Sequence, residues 1–337
     1  VPPIARDGRL LFWLIADYKR WMAARNLSAE AVEAIQGDAS AVTVAINDFT
    51  AATFRTRGGR LGSGMGSLIE ALWVYYMNNA LQNEGGVARM CELAWLPDHQ
   101  PADFACLYRE AEWAPESRAG ELFRIEAKSM NIGVDEAKGH FTNLEKETLE
   151  YDQLLVLVWS WTPFDKNYVW PRIHDYFIGP SLPIIRMRDR LHLERGGTFV
   201  KAGNCPDGCD IDQCSHVGEP LNASGNRERR GGPASTKPAN LECAANFGGL
   251  LRMIKTSSAS ASDTFREERA ACDVCHRFVS FIHAHYPDEE MGQYKLKDWR
   301  ILADRFGIEH HKRSALDLRE AIKVVDPNYR ELLRVIR

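Results

Sequence analysis

The sequence predicts an α/β fold with helical additions at both ends and a Cys-rich loop insertion. Three observations carry this. Residues 8–50 and 262–337 hold apolar residues at helical spacing. Residues 88–165 hold short strand-like runs between loops with Pro97, Pro101, Pro115 and Gly120. Residues 195–240 are rich in Gly, Pro, Asn and Asp and contain three of the eight cysteines. A stretch of that kind inside a domain is functional, metal-stapled or mobile.

At the N-terminal end, "RLLFWLIADYKRWMAARN" has an apolar stripe, and "LSAEAVEAIQGD" reads as a second helix with Ser28 as N-cap and its end near Gly37. The glycine-rich "FRTRGGRLGSGMGS" brings Arg55, Arg57 and Arg60 and leads into the helix "SLIEALWVYYMNNAL". There Leu68, Leu72, Tyr75 and Tyr76 share a face, and Glu70 lies beside Trp73 and Met77. Strands are predicted within 88–96, 102–110 and 121–130, then a helix over 134–150. "DQLLVLVWSWTPF" is a continuous apolar run of β-type residues, as a buried central strand requires. Residues 244–256 read as a short helix, followed by the low-complexity "SSASAS". The closing helices contain "LADRFGI", which is similar to the turn of a helix-turn-helix. The divisions expected are 1–60 (helical), 61–190 (catalytic core), 191–260 (Cys/Gly-rich loops) and 261–337 (helical).

Of the 337 residues, 45% are hydrophobic, enough for a sizeable core. A net charge of −4 gives no global attraction to nucleic acid, so any such surface must be a local basic patch. "LLFWLIA" is far shorter than the ~20 apolar residues of a membrane span. It lacks the flanks of a signal peptide, and a cytoplasmic location with no membrane partner is expected. No GxxxxGK[ST] phosphate loop occurs, since "GSGMGS" has no following lysine.

The chemistry concentrates in "PADFACL … FRIEAKS". Asp103 opens one strand; Glu126 and Lys128 lie 23 and 25 positions beyond it. Strand period places Glu126 and Lys128 on one face, roughly 6–7 Å apart. A hairpin pairing would bring Asp103 beside Glu126. Two adjacent carboxylates repel, and a hard divalent cation such as Mg²⁺ relieves that repulsion. An amine beside it can hold the attacking water or stabilise a phosphate's charge. Arg124 shares the face one pleat away and reads as a partner for a carboxylate.

These residues resemble the PD-(D/E)xK signature of the restriction-endonuclease-like nucleases, with the Pro–Asp pair loosened to Pro101-Ala102-Asp103. The resemblance spans roughly residues 61–165 and implies a mixed central β-sheet flanked by helices. It implies Asp103, Glu126 and Ala127 as Mg²⁺ ligands, Lys128 as the residue that assists the nucleophilic water, and Glu70 as an added acid from the preceding helix. It places Gln153 near the site. Ser129 and Asn131, at the end of the Glu-x-Lys strand, face the DNA backbone in this fold.

Eight cysteines are present. Cys91 and Cys106 lie in apolar surroundings and read as buried thiols. Cys205, Cys209, Cys214 and His216 have the spacing C-x3-C-x4-C-x-H, compact enough to enclose one Zn²⁺. Cys272 and Cys275, with His276 beside them, either add ligands or face a core. Arg227, Arg229 and Arg230 follow the cluster; arginine can donate two hydrogen bonds to guanine. With Arg55, Arg57 and Arg60 they form the expected DNA-contacting set.

The function expected is a Mg²⁺-dependent endonuclease cutting double-stranded DNA: a sequence-specific type II restriction enzyme acting as a homodimer, since a two-fold partner lets each site cut one strand of a palindrome. The alternatives are a repair or mobile-element nuclease of the same fold, and a zinc-stapled DNA-binding module without cleavage.

Overall fold

Residues 154–159 are buried on both faces because their strand lies inside a sheet covered by helices on either side. In the computed structural model, the described residues are 8–56, 64–97, 100–132, 139–203, 205–206, 214–222, 225, 247–250, 262–285, 296–311, 313 and 315–336. Five strands line up in chain order. β1 (Cys91–Trp95), β2 (Phe104–Tyr108) and β3 (Glu121–Asn131) form an antiparallel meander. β4 (Gln153–Pro163) runs parallel to β3, and β5 (Val169–Pro180) returns antiparallel to β4. The sheet is therefore mixed, and the fold is α/β.

Alternation along β4 divides the core in two. Leu155, Leu157 and Trp159 join Ile125, Ala127, Ile69, Trp73 and Ile46 in one apolar cluster. This face is covered by α1 (Gly8–Thr53), α2 (Met65–Asn83) and the short α3 (Gly86–Arg89). Leu154, Val156 and Val158 join Phe141, Ile184, Phe278 and Trp299 in the other cluster. That face is covered by α4 (Ser181–Glu194), α5 (Asp263–Ala271) and α6 (Asp273–His285). α7 (Leu296–Arg305), α8 (Ala315–Val325) and α9 (Tyr329–Ile336) add Leu302, Leu318, Ile322 and Tyr329 to the same cluster. Each fully buried Leu, Ile or Phe side chain contributes about 1.5–3 kcal/mol, so both faces stabilise the sheet. Two short strands, β6 (Thr198–Phe199) and β7 (Pro220–Leu221), make a separate hairpin.

The strands end in steps. β2 stops at Phe104, opposite Ile125, while β3 runs on to Asn131 with only β4 beside it. β4 and β5 continue past Trp159 to Pro163 and Val169. This stepped end leaves a notch beside residues 126–131.

Several local expectations give way. Residues 8–50 do not form two helices: α1 is continuous over 46 residues. Ser28 lies inside it, and its hydroxyl donates to the Leu122 carbonyl at 3.0 Å instead of capping. Gly37 does not end it. On α2 the buried face is Met65, Ile69, Trp73, Met77 and Leu81, whereas Tyr75 is exposed. The helix expected over 134–150 is absent among the described residues 139–150, which hold only a 3-10 turn at Glu145–Glu147. The backbone there bonds elsewhere: Phe141 N–H donates to the Gly248 carbonyl at 2.8 Å, and Leu250 N–H to the Gly139 carbonyl at 2.9 Å. Gly248 has φ 75°, and a Cβ there would strike the Phe141 carbonyl, so glycine permits this crossing. Of the expected helix 244–256, only residues 247–250 are described. No helix among the described residues is long and apolar enough to cross a membrane.

Candidate active site

The notch leaves the outer backbone edge of β3 without a strand partner beyond Ile125, and side chains take the partner's place. Asp103 N–H makes the last ladder bond, to the Ile125 carbonyl at 3.1 Å. Its carboxylate Oδ2 then accepts from the Ala127 N–H at 2.8 Å. The Ala127 carbonyl accepts from Lys128 Nζ at 2.8 Å. One pleat on, the Ser129 N–H and hydroxyl both donate to the carboxylate of Glu70 on α2. Three expected catalytic residues, Asp103, Lys128 and Glu70, thus satisfy one strand edge.

Lys128 is the hub. Its ammonium lies 2.5 Å from Glu126 Oε1 and 3.5 Å from Asp103 Oδ2, besides the Ala127 carbonyl. Burial acts against its charge, but Glu126, Asp103 and Glu70 outweigh that and hold its pKa above the ordinary lysine range. Burial pushes the Glu126 carboxyl up, aided by Asp103 and opposed by Lys128 and a bond from the Asn143 side chain. Glu70 is pushed up to about 7, first by burial and then by Asp103, against Lys128 and Ser129.

The donor set of Asp103, Glu126 and the Ala127 carbonyl is all oxygen and already surrounds a cation, the ammonium. Such hard donors fit Mg²⁺. Asp103, Glu126 and Lys128 line an open cleft of about 510 Å³ whose walls include Leu96, Gln100 and Asn143.

A buried scaffold fixes Asp103. Ala102, just before it, has φ 76°, a left-handed conformation that costs a non-glycine residue about 1–2 kcal/mol. Arg124, 3% exposed, holds this turn: it donates to the Gln100 side chain at 3.2 Å and the Pro101 carbonyl at 3.1 Å. It also donates to Glu121 at 2.7 Å and to the Pro115 carbonyl at 2.6 Å. Asp152 accepts from the Arg124 N–H at 2.8 Å and from Arg118 at 2.5 Å. The role of Arg124 is to pair with a carboxylate and to brace the Asp103 turn. Sequence reasoning missed Asn143 and this network; the arginine on the same face as Glu126 was its visible sign.

The other expected site residues divide. Asn131 closes β3 at the notch. Gln153 lies away from the site: it accepts from Gln36 of α1 at 3.2 Å and donates to the Tyr151 carbonyl at 2.8 Å. Arg55 stands over the Phe164 ring at 3.8 Å, at the turn between β4 and β5. Arg57, Arg60, Arg227, Arg229 and Arg230 lie outside the described residues, as does Cys209. Cys205, Cys214 and His216 are brought together, with their donor atoms all within 4.8 Å of one another. Cys272 and Cys275 pack instead beside the core of the α4 face, where Cys275 Sγ donates to the Pro183 carbonyl at 3.5 Å. Cys91 and Cys106 are buried free thiols.

No family model, curated protein sequence or solved structure matches the chain.

Proposed function

We propose that the chain is a Mg²⁺-dependent DNA endonuclease with a restriction-endonuclease-like core, and that it cuts double-stranded DNA at specific sequences as a type II restriction enzyme. The observation that carries this reading is the convergence of Asp103, Glu126, the Ala127 carbonyl and Lys128 at the open edge of β3. A Mg²⁺ held by Asp103, Glu126 and the Ala127 carbonyl would supply Lewis-acid charge at the scissile phosphate.

The chain's own residues divide the remaining work. Lys128, in contact with Glu126 and Asp103, would orient the attacking water and neutralise phosphate charge. Asn143 and Lys128 both bond the Glu126 carboxylate and would orient it. Glu70 would add a third carboxyl to the acidic set, held at the β3 edge by Ser129. Ser129 is engaged by Glu70, which leaves Asn131, half-buried at the end of β3, as the residue that would meet phosphate oxygens. Cutting both strands of a symmetric target calls for a two-fold pair of chains.

The test is incubation of the purified protein with plasmid and phage DNA and Mg²⁺. Discrete fragments support the full reading. A smear overturns the sequence-specific part, and intact DNA across a panel of substrates overturns the nuclease.

A further inference from the structure

Apart from the oxygen-lined cleft, the molecule assembles a second and softer donor set. Cys205 and Cys214 both lie between β6 and β7 in the chain, and His216 follows Cys214 by two residues. Cys205 Sγ lies 3.4 Å from His216 Nδ1. A tetrahedral zinc with Zn–S of about 2.3 Å and Zn–N of about 2.0 Å has an S···N edge of roughly 3.5 Å. Two sulfurs and an imidazole suit Zn²⁺ and not Mg²⁺. The region has reason to need a staple. β6 and β7 pair over two residues each, and a hairpin that short has no stability of its own.

What the cluster would hold is set by the residue between its two last ligands. The Ser215 carbonyl accepts from Lys146 Nζ at 2.7 Å. Lys146 is the middle residue of the turn Glu145–Glu147, and Glu145 is itself tied to Arg186 of α4 at 2.7 Å. This turn continues the segment whose Thr142, Asn143 and Glu147 wall the cleft, with the Asn143 side chain on Glu126. A continuous path therefore runs from Cys214 and His216 through Ser215, Lys146 and Asn143 to Glu126.

We propose that Cys205, Cys214 and His216 bind a structural Zn²⁺, separate from the Mg²⁺ site, and that this ion fixes the cleft wall through the Ser215 carbonyl and Lys146. The three residues supply three of the four positions of a tetrahedral ion. Both thiols bind as thiolates, releasing two protons to solvent, and His216 binds through its neutral Nδ1.

The experiment measures metal content and backbone hydrogen exchange in the full chain without added DNA or Mg²⁺, so neither readout depends on nuclease activity. The native protein should carry about one equivalent of zinc, and Cys214→Ser and His216→Ala should lose it. Removing zinc from the native protein with phenanthroline, which avoids any folding defect of the variants, should speed amide exchange at residues 142–148. Lys146→Met should keep the zinc and show the same faster exchange. Native protein purified without zinc, zinc retained by both ligand variants, or a Cys205–Cys214 disulfide each overturns the site. Unchanged exchange in Lys146→Met overturns the link to the cleft.

Discussion

The Ala127 N–H donates to Asp103 Oδ2 at 2.8 Å, across the point where β2 stops and β3 runs on alone. The bond fixes the carboxylate against the strand that carries Glu126 and Lys128. An amide oxygen can accept the same bond. Asp103→Asn should therefore fold with a nearly unchanged denaturation midpoint, while cleavage falls by about 10²–10³-fold. Parallel thermal melts and plasmid cleavage decide it; full activity in this variant removes Asp103 from the site.

Lys128 keeps two carboxylates compatible in the absence of a divalent ion. Replacing it with methionine leaves Glu126 and Asp103 facing each other without a cation, a loss of about 1–3 kcal/mol. A Mg²⁺ bound at the proposed site would restore what the ammonium supplied. The melting temperature of Lys128→Met should rise with Mg²⁺ by more than that of the native protein, and cleavage should stay abolished. Equal responses in the two proteins would falsify the shared cation position.

Arg124 braces the Gln100–Pro101 turn and is nearly fully buried. Lysine keeps the charge but cannot reach several acceptors from one planar group. Arg124→Lys should lose about 3 kcal/mol of stability, as expected when a buried ion pair is broken. Mg²⁺ affinity, followed by calorimetry, should weaken because Asp103 is no longer held. Undiminished affinity would show that the turn positions itself.

His192 makes stability depend on pH. Burial pushes its pKa below the usual value, although its Nε2 donates to the Thr198 and Leu221 carbonyls at 3.1 and 2.9 Å. Asp189 also favours the charged form, and Arg188 opposes it. Because the folded ring takes up a proton less readily than the unfolded one, its contribution is complete above about pH 6.5. It is lost as pH falls from there toward the folded pKa. Melting temperatures from pH 7.5 down to 5 should show this decline, flattened in His192→Gln; parallel curves for the two proteins count against it.

The strands of the meander and the buried run at 153–163 were legible because period and composition act locally. So was the approach of Asp103 to the strand of Glu126 and Lys128, which follows from hairpin geometry once both strands exist. Residues 139–141 were not, because their backbone bonds go to residues 248–250, about a hundred positions away in the chain. Gln153 was misplaced for a related reason. Strand alternation assigns its side to the α1 face, but only the register with Ile125 reveals which face that is. Ser28 had the chemistry of a cap, but α1 runs through it, and its hydroxyl meets β3 instead.

An unpaired strand edge is a template for another chain's strand. On the stepped end of this sheet, the edge of β3 is closed by Asp103 at Ala127 and by Glu70 at Ser129, with the charge of Lys128 between them. The residues assigned to chemistry are thus also gatekeepers against edge-to-edge self-association. A mutant that swaps these charges for apolar groups would be expected to lose solubility along with activity, and the two losses would share one cause.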